Sequence, residues 1–202
     1  MRNIKIFTYL KITLFLLLVF VAVYYPTNEF DVITSNLLQI KILGQTAKII
    51  STIFNDKILL LIMVLLSAFL FWIKEVKKAI FIFFSAGFGG LILFIIKYTV
   101  QRVRPLPEVF SGYSFPSGHS AIIVVFFLSL LFIINKKEIL SMLATFAIIA
   151  VPISRVVLGA HFLSDVIAGL LLGSIVVDFM KVYYKKIYNI IKSITGENKW
   201  IS

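Results

Sequence analysis

The sequence predicts an all-α integral membrane protein, a six-helix bundle with one interfacial amphipathic helical segment. Of its 202 residues, 60% are apolar, whereas soluble globular domains carry about 45–50%. The mean hydropathy is +1.04, and charge-free apolar runs recur from one end of the chain to the other. No internal repeat or polar domain interrupts them, so we interpret residues 1–202 as a single domain.

Six apolar runs are the candidate membrane spans. Most lie at or below the short end of the roughly 17–25 residues that a spanning helix needs. Flanking lysines can lengthen a span by placing their ammonium groups at the interface. Asp178 interrupts the last run, and we extend that helix to about Tyr184; five or seven spans are the alternatives. The runs are Ile12–Tyr25, Ile58–Ile73, Ala79–Ile96, Ser120–Asn135, Ile139–Ser154 and Val166–Val177.

The first run could instead be a cleavable signal peptide with Arg2, Lys5 and Lys11 as its basic region. No small-x-small cleavage pattern precedes Pro26, so we interpret this run as an uncleaved anchor.

The basic residues predict the orientation, because cytoplasmic loops are enriched in Lys and Arg. With both termini in the cytoplasm, most of the twenty basic residues fall inside, and the loops after the third and fifth spans lie outside. We therefore expect a multi-pass protein of the plasma (inner) membrane, and we attribute the net charge of +11 to an anionic membrane surface rather than to nucleic acid. The cytoplasmic set is Arg2, Lys5, Lys11, Lys74, Lys77, Lys78, Lys136, Lys137, Lys181, Lys185, Lys186, Lys192 and Lys199.

The interfacial segment is Phe30–Phe54, between the first two spans. Its apolar residues recur every three or four positions, a pattern typical of an amphipathic helix. We expect this helix to lie along the outer interface, where it either packs on the bundle or admits a lipid. The apolar positions are Phe30, Ile33, Leu37, Ile40, Ala47, Ile50 and Phe54.

Polar residues concentrate in three clusters at span ends: Lys97–Pro105, Pro116–His119 and Ser154–Asp165. Ionisable groups near the bilayer are expensive and are functional candidates for that reason. The predicted orientation brings all three clusters to the same side, and both histidines of the chain lie in them.

Several of these residues suit a phosphoryl group. Lys97, Arg104 and Arg155 bring positive charge, and a phosphomonoester carries about −1.5 to −2 at neutral pH. Ser117 and Gly118 lie where a helix begins, and the free amides and dipole of a helix N-terminus bind anions. Gly118 allows close backbone approach.

The remaining polar residues suit nucleophilic and acid–base chemistry. His161 and Asp165 are four residues apart and would share one face of a helix. Asp165 could then accept a hydrogen bond from one ring nitrogen of His161 and leave the other as a nucleophile. His119 remains as the acid that protonates a leaving oxygen and later activates water.

Simpler interpretations exist for each residue alone. A histidine at an interface is often structural. Arg104 and Arg155 could anchor lipid headgroups. Asp165 could simply neutralise the charge of Arg155. His119, His161 and Asp165 could hold zinc, but the surrounding cations would repel a metal ion, so we predict no metal and no cofactor. The chain has no cysteine, which excludes a thiol nucleophile, a disulfide framework and cysteine-based metal sites.

Together, the clusters resemble the three signature motifs of the type 2 phosphatidic acid phosphatase (PAP2) superfamily. Order and spacing match, and no fixed position departs from the pattern. The predicted spans favour the membrane lipid phosphatases of that superfamily over its soluble acid phosphatases and vanadium haloperoxidases. The matching residues are Lys97-x6-Arg104-Pro105, Pro116-Ser117-Gly118-His119 and Ser154-Arg155-x5-His161-x3-Asp165.

The resemblance implies a metal-independent fold that works through a phosphohistidine intermediate. His161 would be the nucleophile, Asp165 its orienting partner and His119 the general acid. The implied phosphate-binding residues are Lys97, Arg104, Ser117, Gly118 and Arg155, with Ser154 in support and Pro105 and Pro116 as fixed motif positions.

The expected function is hydrolysis of a lipid phosphomonoester or diphosphate at the outer face of the membrane. Undecaprenyl diphosphate, phosphatidylglycerophosphate and phosphatidic acid are the substrate types we consider. A transporter of anionic solutes, or a non-catalytic lipid binder on the same fold, is the alternative. Arg102 could contact a second phosphate, although we favour a surface role for it, and Glu108 has no assigned role.

Overall fold

A computed structural model describes residues 2–39, 41–134 and 138–195 of the chain. Ile40, Asn135, Lys136, Lys137 and Lys199, which the sequence predictions use, lie outside these residues. The described residues form eight α-helices and one short 3-10 turn, Lys41–Leu43. The helices are α1 (Arg2–Tyr24), α2 (Glu29–Leu38), α3 (Gly44–Ile53), α4 (Asp56–Trp72), α5 (Val76–Val100), α6 (Gly118–Ile133), α7 (Glu138–Val157) and α8 (Leu163–Thr195).

Each of the six predicted apolar runs falls in a helix of its own: α1, α4, α5, α6, α7 and α8. Five stretches are long and apolar enough to cross a membrane. The sixth, α6, has only 16 residues, about 24 Å at 1.5 Å per residue. Most of α6 is buried among the other helices, so its length need not match the bilayer. The five long stretches are Ile6–Tyr24, Gly44–Trp72, Val76–Val100, Glu138–Val157 and Leu163–Ile194.

The prediction of one amphipathic helix over Phe30–Phe54 is wrong in two respects. The segment forms two helices, α2 and α3, because α2 ends at Leu38, where the Gln39 side chain turns back to donate to Ser35 Oγ. Helix α2 also faces opposite to the expectation, whereas the predicted apolar residues Ala47 and Ile50 of α3 do pack on the protein. Apolar Phe30 of α2 is exposed, whereas Asp31 is buried against the protein. Apolar periodicity marks the outward face here, because lipid is the solvent and the polar partners are inside.

Helix α6 packs closely on α8 because two residues of α8 are glycine. A β-carbon on Gly169 would lie 2.6 Å from the carbonyl oxygen of Ser117, and one on Gly173 would collide with the carbonyl oxygen of Ala121. Small residues permit such approach of membrane helices. The contact fixes the start of α6 against the start of α8.

The helix directions alternate, so one end of the bundle collects six helix termini. Helices α1, α5 and α7 end there, and α4, α6 and α8 begin there. All three polar clusters predicted from the sequence lie at this end, which we call the site end.

Candidate active site

Lys97 fixes the loop that joins α5 to α6. Helix α5 ends at Val100, and the C-cap residue Gln101 has a left-handed backbone (φ 52°) that turns the chain out of the helix. The Lys97 ammonium, one turn earlier, donates to the carbonyl oxygens of Tyr113 at 2.7 Å and Pro116 at 3.2 Å. The lysine thus ties the first cluster to the second and places a positive charge beside the start of α6.

Ser117 and Gly118 form the N-terminus of α6. The fully buried Ser117 is the N-cap: its Oγ accepts from the backbone N–H and hydroxyl of Ser120, at 3.4 and 3.0 Å. Its backbone N–H donates to the carbonyl oxygen of Asp165 at 3.0 Å. A β-carbon on Gly118 would lie 2.6 Å from Asp56 Oδ2, so any larger residue here would displace the Asp56 carboxylate. The first amides of a helix have no acceptor within it, and this end of α6 can bind an anion.

His161 does not lie on a helix with Asp165, contrary to the sequence prediction. Helix α8 begins at Leu163, and Asp165 caps it by accepting from the backbone N–H of Phe162 at 2.9 Å. His161 lies in the turn before this cap. Its Nδ1 is 3.6 Å from Asp165 Oδ2, too long for a hydrogen bond, and Nδ1 has no hydrogen-bond partner within the described part of the chain.

The contacts of His161 define its tautomer. Arg104 Nη1 lies 3.2 Å from His161 Nε2, and because a guanidinium can only donate, Nε2 carries the lone pair. The proton is then on Nδ1, which faces the Asp165 carboxylate. Burial lowers the pKa of His161 to about 3, with Asp165 opposing this effect and the charges of Arg104 and Arg155 adding to it. The ring is therefore neutral, as a nucleophile requires.

Arg104 joins the loop after α5 to the turn that carries His161. Its Nη1 donates to the carbonyl oxygen of Ala160 at 2.8 Å, and its Nε to those of Ser111 and Gly112 at 3.0 Å. Burial lowers the pKa of Arg104, and the nearby carboxylates of Asp165 and Asp56 oppose that shift.

The turn before His161 depends on Gly159. Its φ of +68° is favourable only for glycine, and a β-carbon there would meet Leu106 Cδ1 at 2.5 Å. The half-buried Pro105 precedes Leu106, whose N–H donates to the Gly159 carbonyl oxygen at 3.2 Å.

Arg155, at the end of α7, is held by a residue that the motifs do not include. Its Nη1 donates to Ser51 Oγ of α3, and its buried Nε has no partner among the residues described. The guanidinium lies 5.6 Å from the ring centre of Phe110. Ser154, predicted to support phosphate binding, donates its hydroxyl to the Val151 carbonyl oxygen at 2.7 Å. Arg155 thus retains a buried donor that a phosphoryl oxygen could accept from.

His119, in the first turn of α6, also faces a carboxylate. Its Nδ1 lies 3.5 Å from Asp56 Oδ1, at the start of α4. Sequence reasoning did not find Asp56, although an acidic residue among few in an apolar chain is a usable signal. Among the described residues, no group of three or more His, Asp or Glu side chains could hold a metal ion.

The expected surface role of Arg102 is wrong. The side chain is only 2% exposed, and it donates to Pro26 O, Ser164 Oγ, Asp165 Oδ1 and Asp31 Oδ2 at 2.7–2.9 Å. It therefore joins α2 to the start of α8 beneath the site, where it cannot contact a second phosphate. Glu108 is exposed in the same loop.

Asp31 completes this buried network, and sequence reasoning missed it too. It accepts from the backbone N–H and the hydroxyl of Ser164 as well as from Arg102. Burial acts to raise its pKa, but hydrogen bonds from Arg102, Ser164 and Asn28 hold the pKa below its usual value.

Comparisons with known proteins agree on one family. A sequence model described as the PAP2 superfamily matches residues 78–188, which include all three motif clusters. Phosphatidylglycerophosphatase B of Bacillus subtilis (strain 168) is 32% identical over 140 residues, which are 64% of this chain and 69% of the relative.

More partial matches are to a lipid A 1-phosphatase of Rhizobium johnstonii, 33% identical over 107 residues, and to one of Rhizobium etli, 32% identical over 106 residues. These cover 46% of this chain and 43% and 44% of the respective relatives.

The fold resembles the crystal structure described as the first transmembrane PAP2 type phosphatidylglycerolphosphate phosphatase from Bacillus subtilis. The TM-score is 0.71 at 26% sequence identity, and the match covers 89% of this chain and 96% of that one.

Proposed function

This chain belongs to the PAP2 superfamily as a multi-pass membrane protein, and we propose that it is a membrane lipid phosphatase. In this proposal it hydrolyses a phosphomonoester or diphosphate of a lipid at the outer face of the bilayer. The reaction passes through a phosphohistidine at His161 and uses no metal. The observation that carries the proposal is the position of the His161 ring, whose Nε2 lies 3.2 Å from Arg104 Nη1 and whose Nδ1 lies 3.6 Å from Asp165 Oδ2.

Binding of the phosphoryl group would use the cations around His161. Arg104 can exchange its contact with His161 Nε2 for a phosphoryl oxygen, which leaves Nε2 free to react. Arg155 offers its Nε, which has no partner in the described part of the chain, and Lys97 and the first amides of α6 supply further positive potential. These groups would stabilise the charge that develops on the phosphoryl oxygens in the transition state.

The reaction would then proceed in two steps. His161 Nε2 attacks phosphorus, and an N–P bond forms while the bond from phosphorus to the lipid oxygen breaks. Protonated His119 gives its proton to that oxygen, so that the oxygen carries no negative charge when the lipid leaves. The Asp165 carboxylate, 3.6 Å from Nδ1, stabilises the positive charge that the ring acquires.

In the second step, His119 takes a proton from water, and the water oxygen attacks phosphorus. The N–P bond breaks, inorganic phosphate leaves, and His161 returns to its neutral form. His119 has regained its proton, so the residues end the cycle as they began it.

A lipid substrate is supported by an apolar cavity of about 360 Å³ between α3 and α7. Its lining includes Ala47 and Ile50 of α3 and Ile153 and Ser154 of α7, and Arg155 follows Ser154 in the chain. A hydrocarbon chain in this cavity would end at the phosphate-binding cations. Phosphatidylglycerophosphate and lipid A 1-phosphate, which the names of the relatives indicate, join undecaprenyl diphosphate and phosphatidic acid as candidates.

Phosphate release from this panel of lipids in detergent with EDTA tests the reaction. We expect release from the wild type to persist with the chelator and to collapse in His161→Ala. A folded wild type that releases nothing from any of these lipids would contradict the proposal. Release that EDTA abolishes would keep the reaction and overturn the metal-free mechanism.

The outer-face location can be tested because the chain lacks cysteine. Glu108 at the site end and Glu75 before α5 at the other end are both exposed. In intact cells, a membrane-impermeant thiol reagent should label Glu108→Cys and not Glu75→Cys. The reverse labelling would place the site on the cytoplasmic side and overturn this part of the proposal.

A further inference from the structure

We propose that Asp56 is a positioning residue for His119, and that it makes the proton transfer to the leaving oxygen efficient. The inference rests on the proposed function, in which His119 is the general acid. It adds to that reaction a residue of α4, a helix that lies outside the matched PAP2 region, residues 78–188.

Asp56 lies where a carboxylate can orient the His119 ring. Its Oδ1 is 3.5 Å from His119 Nδ1, so a proton on Nδ1 faces the carboxylate and Nε2 is left for the substrate. The His119 and Asp56 side chains are only 12% and 23% exposed, so water screens their interaction weakly. The arrangement parallels the one at His161, whose Nδ1 lies 3.6 Å from Asp165.

Capping of α4 explains only part of the position of Asp56. The N-cap of α4 is Asn55, whose side chain accepts from the backbone N–H groups of Lys57 and Ile58. Asp56 Oδ1 also accepts from the backbone N–H of Lys57 at 3.1 Å. The other carboxylate oxygen, Oδ2, reaches across to α6, where it occupies the space that a β-carbon on Gly118 would fill. An acid needed only for the dipole of α4 could have remained in solvent.

The chemistry of the first step predicts which reactions need Asp56. A carboxylate beside Nδ1 stabilises the protonated ring and directs its other N–H toward the leaving oxygen. That proton matters most when the leaving group is an alkoxide, which is too basic to leave unprotonated. It matters little for 4-nitrophenolate, which leaves readily as an anion.

The experiment compares hexadecyl phosphate with 4-nitrophenyl phosphate in detergent, using kcat/KM because it reports on transfer to the nucleophile. Asp56→Asn should lose about tenfold or more with hexadecyl phosphate and less than about threefold with 4-nitrophenyl phosphate. Asp178→Asn is the matched control, because Asp178 is a similarly buried carboxylate paired with Lys11 away from the site. The ratio of kcat/KM for hexadecyl phosphate to kcat/KM for 4-nitrophenyl phosphate should be the same in Asp178→Asn as in the wild type.

A double variant tests whether Asp56 acts through His119. In a His119→Ala background, Asp56→Asn should cause no further loss with hexadecyl phosphate. If Asp56→Asn does not fold, Asp56→Ser can replace it, because the serine side chain is smaller and does not reach Gly118. This variant should show the same difference between the two substrates.

Equal losses on both substrates, or a further loss in the His119→Ala background, would overturn the role of Asp56 and leave the proposed function intact. A folded wild type that hydrolyses neither these two substrates nor any lipid of the panel above would overturn the proposed function and this inference with it.

Discussion

Arg102 Nη1 donates a 2.7 Å hydrogen bond to Asp165 Oδ1, and both side chains are fully buried. The same guanidinium pairs with Asp31 at 2.8 Å, so one arginine binds two buried carboxylates. Asp165 is thereby held with one oxygen on Arg102 and the other toward Phe162 N–H and His161. The orientation of the proposed nucleophile thus depends on a residue that would contact no substrate.

Removing Arg102 should be strongly destabilising. Arg102→Ala leaves Asp31 and Asp165 buried without their cation, and breaking a buried ion pair costs about 3–5 kcal/mol. SDS-titrated unfolding in detergent micelles would measure the loss. Lys78→Ala is the control, because it removes the salt bridge between Lys78 and Glu75. These two side chains are 41% and 48% exposed, and such surface pairs contribute about 0–1 kcal/mol. Equal losses in the two variants would contradict the account.

His161 should make stability fall on acidification. The pKa of the folded protein, about 3, lies below the value of about 6.5 in an unfolded chain. Between these values the unfolded state binds a proton that the folded state excludes. The free energy of unfolding should therefore fall as pH decreases from about 6.5, by up to about 1.4 kcal/mol per pH unit. His161→Asn should lack this part of the slope, and identical slopes at pH 5–6.5 would show that the ring titrates normally.

Gly169→Ala should disturb the start of α6. The new β-carbon would lie 2.6 Å from the Ser117 carbonyl oxygen, and overpacking of this kind costs about 1–3 kcal/mol. Phosphatase activity should fall as well, because Ser117 and Gly118 must move. The control is Gly87→Ala, where a β-carbon meets nothing within 4 Å; this change should be neutral or stabilise by up to about 1 kcal/mol. Similar behaviour of the two variants would count against the close approach of α6 and α8.

Ser51→Ala should weaken substrate binding. Ser51 Oγ accepts from Arg155, and a hydrogen bond to a charged group contributes about 1.5–3 kcal/mol. A mobile Arg155 should raise KM by about tenfold, with a smaller change in kcat. The matched control is Ser67→Ala, which removes a buried hydroxyl that donates to Ala79 O at the other end of the bundle. A KM that rises equally in both variants would contradict a specific role for Ser51.

Local patterns in the sequence predicted the apolar helices and the superfamily. The six apolar runs each became a helix, and the PAP2 resemblance, inferred from residues 97–165, is confirmed by the family match. These features depend on residues near one another in the chain, such as the glycine and histidine that open α6. Their spacing is therefore visible without coordinates.

The supporting network could not be predicted in this way, because its members are far apart in sequence. Arg102 and Asp31 are separated by 71 positions, and Arg155 and Ser51 by 104. The periodicity of α2 also misled, since Phe30 faces outward and Asp31 inward. In lipid, the polar face of a helix can be the buried one, and pairing between helices decides it.

The central claim, that His161 carries the phosphoryl group, is tested most directly by trapping the intermediate. Wild-type protein would be mixed with a ³²P-labelled lipid phosphate and quenched in alkali, because an N–P bond is labile in acid, and the labelled peptide would then be mapped. We predict label on His161 in the wild type and none in His161→Ala. Label on another residue, or undiminished turnover by His161→Ala, would contradict the account.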